Sequence, residues 1–117
     1  MLVFDASGTK IPVGGIVNES ATAAADTAVV ITLAAVPGVR HIVHAMQWSY
    51  SATPTGGRLT VTGLKDDDWD IDITTSIPGG YNSPLVGEIN TAVVVTLAAG
   101  SGTVVGKLNI QRTEARG

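Results

Sequence analysis

The strongest constraint on this chain is the spacing of its branched residues. Val, Ile and Thr alternate with smaller or polar side chains in short runs, and Gly, Pro, Asn or Asp closes each run. A period of two puts successive side chains on opposite faces of a strand. No window of helical length carries an apolar stripe at helical spacing, so crossover helices and parallel pairing are not expected. The runs predict strands over 27–33, 40–50, 57–62, 69–74, 85–89, 91–97 and 104–111. A small hairpin over 2–4 and 10–13 is also expected, with Ser20–Asp26 as linker. In the 40–50 run, strict alternation sets Ile42, His44, Met46, Trp48 and Tyr50 on one face. His41, Val43, Ala45, Gln47 and Ser49 fall on the other. Trp69, Ile71 and Ile73 alternate with Asp70, Asp72 and Thr74. Connections such as Pro37-Gly38 and Gly100-Ser101-Gly102 suit tight or bulged hairpins. The class is therefore all-β, an antiparallel β-sandwich or barrel of about eight strands.

One internal repeat stands out. Thr27-Ala28-Val29-Val30-Ile31-Thr32-Leu33-Ala34-Ala35 returns as Thr91-Ala92-Val93-Val94-Val95-Thr96-Leu97-Ala98-Ala99. Each copy then reaches a glycine, Gly38 or Gly102, and enters another strand. Two units are too few for a solenoid. They fit a sandwich with two related halves. Val30 and Val94 are apolar on the face that alternation assigns to the outside, as in a central strand or a subunit contact.

At 117 residues the chain is one domain's worth. The segment 1–26 reads as an arm or hairpin plus linker ahead of a sandwich over 27–117. Only 15% of residues are charged, against about 25% in an ordinary soluble chain. That poverty of charge predicts an oligomer, with Val30, Val94, His41 and Val43 as interface candidates. The net charge of −3 lacks the basic excess of a nucleic-acid binder. Apolar runs fall short of a membrane span, and no secretory signal is read at the amino terminus. There are no cysteines, which removes disulfides, thiolate metal sites and a cysteine nucleophile.

Little here points to chemistry. The run Lys65-Asp66-Asp67-Asp68-Trp69-Asp70-Ile71-Asp72 lacks the glycine and distal glutamate of a calcium loop. It reads as a polar turn followed by a strand with Asp70 and Asp72 in water. His41 and His44 are the only histidines. Strand geometry sends them to opposite faces, and His44 reads as a hydrogen-bonded residue among apolar neighbours. No nucleophile elbow or phosphate loop is present. No catalytic residue, metal ligand or cofactor is assigned, and no enzymatic activity is expected. Trp48 and Tyr50 could stack on a sugar, but their phase with Ile42 and Met46 favours the core.

The segment Gln47-Trp48-Ser49-Tyr50-Ser51-Ala52-Thr53-Pro54-Thr55-Gly56-Gly57-Arg58-Leu59-Thr60-Val61 resembles a phrase of small virion proteins from tailed bacteriophages and prophages. So do Pro84-Leu85, Asn90 to Gly100 and Gly106-Lys107-Leu108-Asn109. The resemblance covers Thr27 to Gln111 and rests on turn and strand motifs. It implies a jelly-roll sandwich like that of tumour necrosis factor, assembled as a homotrimer. It further implies a structural protein of the virion, made in the host cytoplasm. The expected role is capsid decoration, with the major capsid protein or another virion protein as partner. The alternative is a receptor- or glycan-binding module of a tail or fibre. Val3, Phe4, Ile11, Val13 and Ile16 are apolar residues that a free tail would not need, so they are the candidates for capsid attachment.

Overall fold

The computed structural model describes residues 15–116. Nine strands follow in order: β1 (Val17–Thr22), β2 (Val29–Leu33), β3 (Val39–Tyr50), β4 (Arg58–Thr62), β5 (Trp69–Asp72), β6 (Gly79–Tyr81), β7 (Leu85–Val86), β8 (Val93–Leu97) and β9 (Gly106–Arg116). They form two antiparallel sheets. One runs β1-β9-β3-β6, with β7 also on β3; the other runs β2-β8-β4-β5. β6 lies against Met46–Trp48 and β7 against Ile42–Val43, so the two short strands share one position beside β3. With those two counted as one, the pairing is nested. First pairs with last (β1·β9), second with next to last (β2·β8), β3 with β6 and β7, and β4 with β5. A long hairpin rolled so that β9 meets β3 and β8 meets β4 is the jelly-roll order.

The core lies between the sheets. Val29, Ile31, Leu33, Leu59, Val61, Val93, Val95 and Leu97 come from the four-stranded sheet, and Val43, Met46, Tyr50, Leu108 and Ile110 from the other. The alternation predicted for β2, β4, β8 and β9 is the alternation found. The two repeat copies, β2 and β8, pair with each other. Val29 faces Leu97, Ile31 faces Val95 and Leu33 faces Val93. Equivalent residues thus exchange places about the Ile31–Val95 pair, a local twofold relation. It extends to the strands that follow, since β3 and β9 pair from Val39↔Arg116 to Tyr50↔Gly106. Asn90 joins the two halves: its side chain accepts from the Gly38 amide at 2.5 Å, and its amide donates to the Val39 carbonyl at 3.0 Å. Asn90 holds φ 58°, a conformation that asparagine adopts more readily than most residues.

Three features depart from the sequence reading. The register of β3 against β9 slips between Val43 and Ala45, a bulge at His44. A bulge adds one residue and reverses the phase of alternation beyond it. Val39, His41 and Val43 are therefore buried before it, and Met46 and Tyr50 after it. The strict alternation expected over 40–50 is wrong at this point, and with it the outward placement of His41 and Val43. Second, Val17–Thr22 is hydrogen-bonded along β9, so part of the stretch read as linker is a strand of the first sheet. The chain beyond it stays tied, through the Ala23 amide to the Gly106 carbonyl and the Asp26 amide to the Val104 carbonyl. Third, β6 has no counterpart among the expected strands, because Gly79-Gly80-Tyr81 carries no branched residue and no alternation. The hairpin expected over 2–4 and 10–13 lies outside the described residues.

Tyr50 anchors one end of the core. Its hydroxyl donates to the Ala98 carbonyl across the sandwich at 2.6 Å. Burial raises its pKa above the ordinary value, opposed in part by the backbone of Arg58. The folded state then holds this proton more tightly than the unfolded chain. The stability this contributes is complete below the unfolded value near pH ~10 and is lost as pH rises through the folded one. Tyr50→Phe should cost about 1 kcal/mol near neutral pH. It should also remove this share of the alkaline decline. Denaturant titrations of both proteins at pH 8 and pH 11 check it; an equal alkaline loss in both would contradict it.

Candidate interaction surfaces

The outer face of the β2-β8-β4-β5 sheet follows from the phase of the core. With Val29, Ile31 and Leu33 inside, Val30 and Thr32 must point out, and Val94 and Thr96 likewise on β8. The register sets Val30 beside Thr96, and Thr32 beside Val94 and then Thr62. This face is uncharged and mixed in methyl and hydroxyl groups. Val30 is 52% exposed, among the largest apolar exposures of the described residues, and Val94 is half-buried. Charge begins only at the far side of the sheet. There the Arg58 guanidinium donates twice to Asp70, at 2.6 and 2.8 Å, which raises the Arg58 pKa. Among the described strands β2 is also the edge of its sheet, a short strand with neither proline nor charge to blunt it.

The other two interface candidates sit elsewhere. Val43 is 1% exposed and belongs to the core; His41 is 2% exposed. The His41 Nε2 donates to the Ala34 carbonyl at 2.7 Å, which fixes that tautomer, and its buried Nδ1 has no partner among the described residues. Neither residue presents a side chain to a second copy. His44 occupies the bulge and shares a 2.6 Å hydrogen bond with Thr113 Oγ1. Of the attachment candidates, Ile16 is 59% exposed just ahead of β1. Val3, Phe4, Ile11 and Val13 lie outside the described residues.

The outer face of the β1-β9-β3-β6 sheet differs in chemistry. A half-open cleft of about 470 Å³ runs over it, with the carboxamides of Asn18, Gln47, Asn82, Asn109 and Gln111 in its lining. The register explains the gathering: Asn18 pairs with Gln111, and Asn109 pairs with Ser20 on one side and Gln47 on the other. Ala45, next to the bulge, contributes the smallest side chain of the lining. A second concavity of about 340 Å³ shares Gln47 and Asn109 and continues to Trp48, Pro78 and Gly79. Trp48 belongs to an aromatic group at the open edge of the sandwich. Its ring lies 6.3 Å from that of Trp69, which lies 4.9 Å from that of Tyr81. A side chain on Gly79 would strike the Trp48 indole, so the glycine lets β6 approach. Sequence reasoning placed both Trp48 and Tyr50 with the core; Tyr50 is buried in it, and Trp48, half-buried, packs against it from the inner face. The amides were not singled out, because they gather only once the register of β1, β9 and β3 is known.

The acidic run behaves as a turn and a strand. Asp66, Asp67 and Asp68 are exposed in the β4–β5 connection, and Asp70 and Asp72 point to solvent from β5. No three His, Asp or Glu side chains gather as a metal site among the described residues. No described helix is long and apolar enough to cross a membrane. No protein-family model and no curated protein sequence matches this chain.

Proposed function

We propose that the protein is a structural component of a phage virion: a trimeric decoration subunit that clamps neighbouring capsid subunits by adding buried area. The observation that carries this reading is the uncharged β2–β8 face with Val30 exposed on it. A patch of threonine hydroxyls and valine methyls at a sheet edge, on a chain this poor in charge, suits burial against another protein. The jelly-roll order and the resemblance of the segments from Thr27 to Gln111 support the same reading. Val30 and Val94 are the interface residues. His41 and Val43 are not, because their own chain buries them. Attachment runs through Val3, Phe4, Ile11, Val13 and Ile16.

The test is co-sedimentation with expanded heads of the phage that encodes the chain. The full-length protein should pellet with them at micromolar concentration. A truncation ahead of Val17 keeps every described strand, so it should fold; its affinity for heads should fall at least about tenfold. Failure of the full-length protein to pellet would contradict the decoration role. Equal pelleting of both proteins would contradict the attachment residues.

A further inference from the structure

We infer that the cleft across β1, β9, β3 and β6 is a binding site for a neutral oligosaccharide. The inference deepens the glycan-binding alternative and does not rest on the decoration role. Three observations carry it. The first is size: the two concavities, about 470 and 340 Å³, fall in the range of ligand sites and share Gln47 and Asn109 in their lining. The second is the polar inventory. Asn18, Gln47, Asn82, Asn109 and Gln111 supply carboxamides from four separate stretches of chain, and none makes a side-chain hydrogen bond with the described residues. Each carboxamide offers two donors and an acceptor, which suits hydroxyl groups that donate and accept at once. The third is the rim: the exposed Pro78 borders the continuation of the cleft, an apolar surface for the C–H face of a sugar ring.

Charge selects among ligands. The one ionisable residue in the lining is Glu19, which accepts from Arg112 at 3.1 Å. No lysine or arginine lines either concavity. Phosphate, sulfate, sialic acid and nucleic acid would find no cation there, and basic peptides no free carboxylate. Neutral pyranose units satisfy the amides without needing a counter-charge.

The test uses the full-length protein on an array of neutral and anionic oligosaccharides, including glucans, galactans, mannans and N-acetylglucosamine oligomers. Each captured sugar is then titrated calorimetrically. Binding to at least one neutral oligosaccharide is expected. The double variant Gln47→Ala/Asn109→Ala removes the two amides shared by both concavities and should weaken it at least about tenfold. Both positions are exposed, so the variant should keep its melting temperature within a few degrees. Ala45→Arg, which fills the cleft, should abolish binding. Capture of anionic sugars alone, no capture at all, or undiminished affinity in the double variant would overturn the site. Val30→Asp should leave sugar binding intact, which separates failure of this site from failure of the assembly face.

Discussion

Leu97→Ala should cost about 2–5 kcal/mol, a large part of the stability of a domain this size. Leu97 is fully buried at the end of β8, a strand flanked on both sides, where it faces Val29 on β2 and Leu59 on β4. Its side chain also crosses the sandwich to Gly106: a Cβ placed on that glycine would lie 3.1 Å from Leu97 Cδ2 and 3.2 Å from Val29 Cγ2. Three strands on two sheets therefore converge on one isobutyl group. Gly106 has no side chain to fill the space that alanine would leave. The midpoint of urea unfolding should fall sharply with an unchanged slope. Protomer concentration must be held fixed, because the proposed assembly would add to apparent stability. Thr96→Ala, on the outer face one residue earlier, should change stability by no more than about 0.5 kcal/mol. Comparable effects at the two positions would contradict the assignment of faces.

The second large effect concerns Gly63, which closes β4 at φ 83°. A methyl group there meets two obstacles at once. The left-handed backbone disfavours any side chain, and the added carbon would collide with the Ala92 carbonyl oxygen. That carbonyl cannot move freely, since Ala92 leads directly into β8 and the Gly63 carbonyl already accepts from the Glu88 amide at 2.9 Å. Gly63→Ala should therefore cost about 3 kcal/mol or more. Gly56 supplies the control. Its φ of 73° is similar, but nothing lies within 4 Å of the added carbon, so Gly56→Ala should cost only about 1 kcal/mol. The difference between the two isolates the collision. Equal melting temperatures for both variants would show that the backbone at Gly63 yields, contrary to this account.

Where pattern and packing agreed, the strands could be read directly. β2, β4 and β8 bury alternate Val, Ile and Leu, and the sequence carries that alternation on its face. β3 was legible as a strand but not in its phase, because nothing in Val43-His44-Ala45 announces a bulge. One inserted residue moved His41 and Val43 from the predicted surface to the interior, and half the interface candidates with them. β1 was missed for a different reason. Its half-buried positions are Val17, Glu19 and Ala21, and a glutamate is a poor sign of an inward face. Glu19 is tolerated there because Arg112 on β9 donates to it, a partner far away in the chain. The amide cleft shares that dependence on distant pairing. Asn18, Gln47 and Asn109 are unremarkable singly and meet only through the two ladders of β9. Val30 and Val94, by contrast, were legible from the repeat itself, as apolar residues out of phase with the core.

The assembly face is the central claim, and the molar mass in solution tests it most directly. Multi-angle light scattering at micromolar concentration should give about three times the chain mass of 11.9 kDa for the natural sequence. Val30→Asp places a carboxylate on the exposed centre of the β2 face without touching the core, and desolvating that charge opposes burial. Its mass should fall toward that of a single chain while its β-sheet circular dichroism spectrum stays unchanged. A natural protein that elutes at the mass of one chain, or a Val30→Asp variant that remains trimeric, would contradict the account.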